Sequence, residues 1–152
     1  MIPKVIHRPV GGVHTLSQEQ EAFASWKRNH QGWRIIDWDL GAQEGLLSAN
    51  PVGLDLSRLL QKESLSLWHI SKFVILHTIG GVCVDHTLSS IRPLDPIMDS
   101  WSAFAARSPK ADGKPSHFLS TSLLAGKPGL PLWEKVLDVA KQMAWPGGTI
   151  DS

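Results

Sequence analysis

At 152 residues the chain has the length of one domain, enough to bury roughly two-thirds of the surface that its unfolded form would expose. A formal charge of +1 gives no electrostatic case for nucleic acid or an anionic membrane as the main partner. No stretch approaches the roughly 18 apolar residues of a spanning helix, and the opening MIPKVIHRPVGG lacks the basic-then-apolar pattern of a signal peptide.

The segment Pro3 to Arg8, apolar at Val5 and Ile6, reads as a first strand followed by a Gly11-Gly12 loop. Ser17 is placed as N-cap of a first helix, with Gln20 at capping-box spacing. Phe23 and Trp26 share a face of that helix, and His30-Gln31-Gly32 ends it. Trp33 to Trp38 reads as a second strand through Ile35 and Ile36. The chain has seven tryptophans and no tyrosine; tryptophan stacks on sugar rings and bases, yet large aromatics are most often core residues. Gly41 to Pro51 is expected to connect with at most a short helix, and Asp55 to Lys62 to form another.

Ser64 is the expected N-cap of a longer helix running to Ile79. Leu65, Trp68, Ser71 or Lys72, Leu76 and Ile79 recur at helical spacing, and the width of the apolar face predicts burial against a sheet. Gly80 supplies the stop, and Val82-Cys83-Val84 follows as a strand too apolar for an edge. Cys83 is the single cysteine, so no internal disulfide can form and a reducing, cytoplasmic setting is the default. Thr87 to Ser90 reads as polar loop, Met98 to Ala106 as a helix, and Ser108 to Pro115 as a flexible loop. His117 to Leu124 reads as a strand and Leu132 to Ala144 as a closing amphipathic helix. Strands alternating with helices predict one α/β domain over residues 1–152, a sandwich with a mostly parallel central sheet.

The run Trp68 to Asp95, WHISKFVILHTIGGVCVDHTLSSIRPLD, carries a resemblance. Gly80, Gly81, Asp85, Pro93, Leu94 and Asp95 fall without gaps on the pattern of the DXD-type sugar transferases. The opening Ile2 to His7 resembles that family's I-P-K-I-I-H start, and Ser25-Trp26 and Trp38-Asp39 resemble two further landmarks. The match is collinear over roughly the first hundred residues. Phe118 to Lys141 weakly resembles a later strand and helix of that family, with Leu130 in the run Leu123 to Pro131 where the family has histidine. The resemblance implies a small or truncated GT-A (Rossmann-like) fold. It also implies a nucleotide-diphosphate sugar as donor, a glycan or other hydroxyl acceptor, and Mn²⁺ or Mg²⁺ held by carboxylates.

On that resemblance Asp85 takes the first DXD position and is the expected catalytic and metal-ligating residue, while Thr87 stands in place of the second aspartate. The other reading of Asp85 is a strand-end residue capping a turn. His69 and Lys72 stand at the family's Asp and Arg positions. Lys72 keeps a charge that would offset phosphate, without the guanidinium fork, and His69 replaces an acceptor by an imidazole. Phe73 and Cys83 replace tyrosines. His7 is expected beside the nucleotide, or as the polar end of the first strand; Trp38 is expected beside the nucleotide, or in the core. A transition-metal site from His69, Asp85 and His86 is the weaker alternative, because no HxH or HxxxH pair is present in this run.

Two functions follow. One is a hexosyltransferase acting from a nucleotide-diphosphate sugar, with an altered metal site and a partner chain that could complete the acceptor side. The other is a relative without turnover, a sugar- or protein-binding domain.

Overall fold

A computed structural model describes residues 1–11, 16–49, 64–109 and 115–143. Gly12, the expected helix at Asp55 to Lys62, the centre of the Ser108–Pro115 loop and Ala144 lie outside them.

Five strands form one sheet in the order β2-β1-β3-β5-β4. β1 (Val5–Pro9) pairs in parallel with β2 (Arg34–Trp38) and with β3 (Gly81–Val84). β5 (Pro115–Gly126) runs antiparallel to β3, and β4 (Ala103–Pro109) antiparallel to β5. Four of the five strands therefore point the same way, as expected of a mostly parallel α/β sheet.

Helices cover both faces, so central strands must be apolar on both sides. All four residues of β3 are buried, and Ile6 and His7, adjacent in β1, are both fully buried. On one face α1 (Leu16–Asn29) lays Trp26 on Ile6, Val82, Val84 and Ala125, with Met98 of the single-turn α4 (Asp95–Met98) closing the end. On the other face α3 (Ser64–Thr78) sets Trp68, Ile75 and Leu76 against Cys83 and Leu124. α5 (Pro131–Met143) adds Trp133 there, and α2 (Leu40–Ser48) packs Leu47 against Leu67, Val74 and Leu137.

The join between α3 and β3 depends on two glycines. Gly80 has φ +75° and returns its N–H to the Ile75 carbonyl, which ends the helix. Gly81 has φ +118°, and a Cβ there would meet the Val5 carbonyl oxygen at 2.6 Å. Only glycine lets β3 start this close to β1.

Two expectations are corrected. Met98 to Ala106 is not a helix: Met98 ends α4, and Ala103 onward is β4. The alanines at 103, 105 and 106 favour a helix locally, but pairing along β5 through Ala103↔Gly126, Phe104↔Ala125 and Ala105↔Leu124 overrides that preference. Ser17 lies inside the first turn of α1, which begins at Leu16, rather than capping it.

Candidate functional site

Asp85 follows the last residue of β3, at the carboxyl end of a parallel strand, where open α/β sheets place their ligands. β3 stops at Val84 and the chain turns at His86-Thr87, so strand alternation does not extend to His86. Asp85 donates its backbone N–H to the Ser122 carbonyl at 3.0 Å and accepts Leu88 N–H at its own carbonyl. One carboxylate oxygen accepts the Trp68 indole N–H at 3.2 Å. The side chain is half-buried, and among the described residues this bond alone orients the carboxylate, leaving it accessible from the end of the strand.

The loop after Asp85 is stitched to α1 by residues that resembled family landmarks. Trp26 donates its indole N–H to the Leu88 carbonyl at 2.6 Å, and Ser25 Oγ accepts Ser90 N–H at 2.8 Å. Asn29 donates to Ser90, and His30 Nε2 accepts Leu94 N–H at 3.0 Å. Asp95 is tied to Trp33 Nε1 at 3.1 Å and Lys4 Nζ at 3.4 Å. Each neutral bond contributes about 1 kcal/mol net, so together they fix the loop that carries Asp85 and Thr87.

Lys72 lies beneath this end, on the sheet-facing side of α3, and is fully buried. Its Nζ donates to the Thr121 carbonyl at 2.8 Å. Burial lowers its pKa, opposed by the negative charge of Asp85. His69, one turn earlier, is exposed, and its pKa is lowered by desolvation and by Lys72 against a raise from Asp85. Cys83 is fully buried beside the Lys72 carbonyl; burial pushes its thiol well above the usual range, which makes it inert.

Asp85, Lys72 and His69 thus gather at one strand end, with Thr87 exposed on the turn just beyond. His7 and Trp38 belong to a different arrangement. The Trp38 indole can only donate, and it donates to His7 Nδ1 at 3.1 Å; Nε2 therefore carries the proton and donates to the Gly80 carbonyl at 2.9 Å. Both ring nitrogens are engaged inside the protein, and desolvation lowers the His7 pKa. His7 is the central residue of β1 rather than its end, and these bonds close between β1, β2 and the start of β3. Asp39, next in sequence, caps α2 by accepting Ala42 N–H at 2.7 Å.

The donor set does not fit a divalent cation. Hard cations require several oxygen ligands, and among the described residues Asp85 supplies the one carboxylate at this strand end, with a neutral Thr87 hydroxyl nearby. Among the described residues no group of three or more His, Cys, Asp or Glu is placed to hold a metal. No described helix is long and apolar enough to cross a membrane.

No family model and no curated protein matches the sequence. Among solved structures the chain is similar to one described as "PaToxG Glycosyltransferase", with a TM-score of 0.55 and 14% identity over 93% of this chain. The chain spans 61% of that structure's length. The fold is glycosyltransferase-like.

Proposed function

We propose that the chain binds a nucleotide-diphosphate sugar at the carboxyl end of β3 and transfers its hexose to a glycan or other hydroxyl acceptor. The observation that carries this reading is the accessible Asp85 carboxylate, oriented by Trp68 on a glycosyltransferase-like fold. A carboxylate accepts hydrogen bonds and gives none, so it suits the hydroxyls of a sugar rather than a phosphate. The buried Lys72 ammonium supports this end of the sheet from beneath through the Thr121 carbonyl. A second reading, binding without turnover, draws support from the poor fit of the donor set to Mn²⁺ or Mg²⁺.

Calorimetric titration with UDP- and GDP-sugars, with and without Mn²⁺, followed by a hydrolysis assay, separates the two. Saturable binding with release of the nucleotide diphosphate supports transfer. Binding without release supports the second reading, and no binding of any donor overturns both. Asp85→Ala is expected to abolish donor binding while the domain stays folded.

A further inference from the structure

The strand β5 carries a local irregularity beside Asp85. Ala105 pairs with Leu124 but the next residue, Ala106, pairs with Ser120, so residues 121–123 are extra on the β5 side. Such bulges re-aim side chains and release backbone groups from the ladder. Here Lys72 Nζ takes the Thr121 carbonyl at 2.8 Å, from the face opposite α1. Asp85 N–H bonds the Ser122 carbonyl, which sets Asp85 and Ser122 opposite each other, and opposed residues of an antiparallel pair send their side chains to one face. Ser122 Oγ and Ser120 Oγ lie 2.7 Å apart, and Ser122 N–H also reaches Ser120 Oγ at 3.3 Å. Both serines are half-buried and reachable from solvent.

Resting on the function proposed above, we infer that the Ser120–Ser122 hydroxyl pair is a second recognition element for the sugar part of the ligand, and that Lys72 is a positioning residue that holds it in place through the Thr121 carbonyl. The chemistry is complementary. Asp85 accepts only, whereas a hydroxyl pair both donates and accepts, so the three groups together match the vicinal hydroxyls of a hexose. A lysine that touched phosphate would need its ammonium at the surface; this one is fully buried and bonded to a bulge carbonyl.

The test compares UDP-glucose and GDP-mannose with sugar-free UDP and GDP, by calorimetry on the full chain. For the double variant Ser120→Ala/Ser122→Ala, about a tenfold loss of sugar-nucleotide affinity is expected, with sugar-free affinity unchanged, the scale of one or two hydrogen bonds. Lys72→Met is expected to give the same sugar-selective loss, and the triple variant no further loss, because the groups act as one unit. Lys72→Arg should recover part of the affinity. An equal loss for sugar-free nucleotides in Lys72→Met would place the ammonium on phosphate and overturn the positioning role. Should the serine variant bind like the parent, the hydroxyl pair is not a contact, although the donor-binding reading stands. A parent chain that binds no sugar-nucleotide overturns both. If Lys72→Met does not fold, the serine variant alone decides whether the pair is a contact, and Lys72→Arg decides positioning: unchanged sugar selectivity overturns it.

Discussion

β1 and β3 lie side by side, and each carries a residue that resembles a sugar-transferase landmark, His7 in the middle of β1 and Asp85 just past the carboxyl end of β3. Around His7 the described polar groups are tied within the fold, Gln43 Oε1 excepted. His7 bonds Trp38 and Gly80, Arg8 pairs with Asp37 at 2.6 Å, Asp39 caps α2, and Gln43 donates to the Trp38 carbonyl. At the β3–β5 end a carboxylate holds one indole bond, two hydroxyls bond each other, and a buried cation supports the strand from below. The contrast separates two kinds of polar residue: those whose bonds close within the fold and those with capacity left for a ligand. Sequence matching alone does not distinguish them, because both kinds fall on the same family pattern.

Substitutions break this contrast in order of size. Gly81→Ala should be the most severe, costing roughly 3 kcal/mol or more, because it combines a positive φ with contact on the Val5 carbonyl. Urea unfolding monitored by circular dichroism measures it. His7→Phe removes both closing bonds in the middle of β1 and leaves buried partners unmatched, an expected loss of about 2–4 kcal/mol by the same assay. Acid gives the third test. Burial depresses the pKa of His7 and His30 in the folded state, so their neutral forms favour the fold above the ordinary value of 6.5. That stability is lost as pH falls below 6.5 toward the lowered folded values, because the unfolded chain takes up the protons first. A urea series from pH 7.5 to about 5 should show a falling midpoint, with a shallower fall in His7→Phe. The smallest effect is expected at the β3 end. Asp85→Ala should cost no more than about 1 kcal/mol, the single Trp68 bond, while removing donor binding. A loss as large as that of His7→Phe would mean that Asp85 too is a closing residue.

The frame was legible because its signals are local. Gly80-Gly81 followed by an all-apolar VCV reads as a helix stop and a central strand, and helical spacing set Ser71 or Lys72 on the sheet-facing side with Trp68 and Leu76, where both are buried. β4 was not legible, because its alanines favour a helix until β5, more than ten residues further on, supplies the ladder. The bulge at 121–123 was hidden for a related reason, since it exists only as a mismatch between two strands and has no signature in either. The bonds of His7 and Trp38 needed distances: a histidine in a strand reads the same whether its nitrogens face a ligand or a glycine carbonyl.

The bulge also bears on how this end could change through insertion or deletion. The β4–β5 ladder resumes in step on both sides, at Ala105↔Leu124 and at Ala106↔Ser120 and Arg107↔Leu119. The three extra residues at 121–123 are an odd number, a shift that would turn a regular strand over. The bulge takes it up, so a change in its length would alter the reach of the hydroxyls while Leu124 and Ala125 stay paired with Ala105 and Phe104. The rim beside Asp85 is thus free to vary in length while the buried half of the same strand is held fixed.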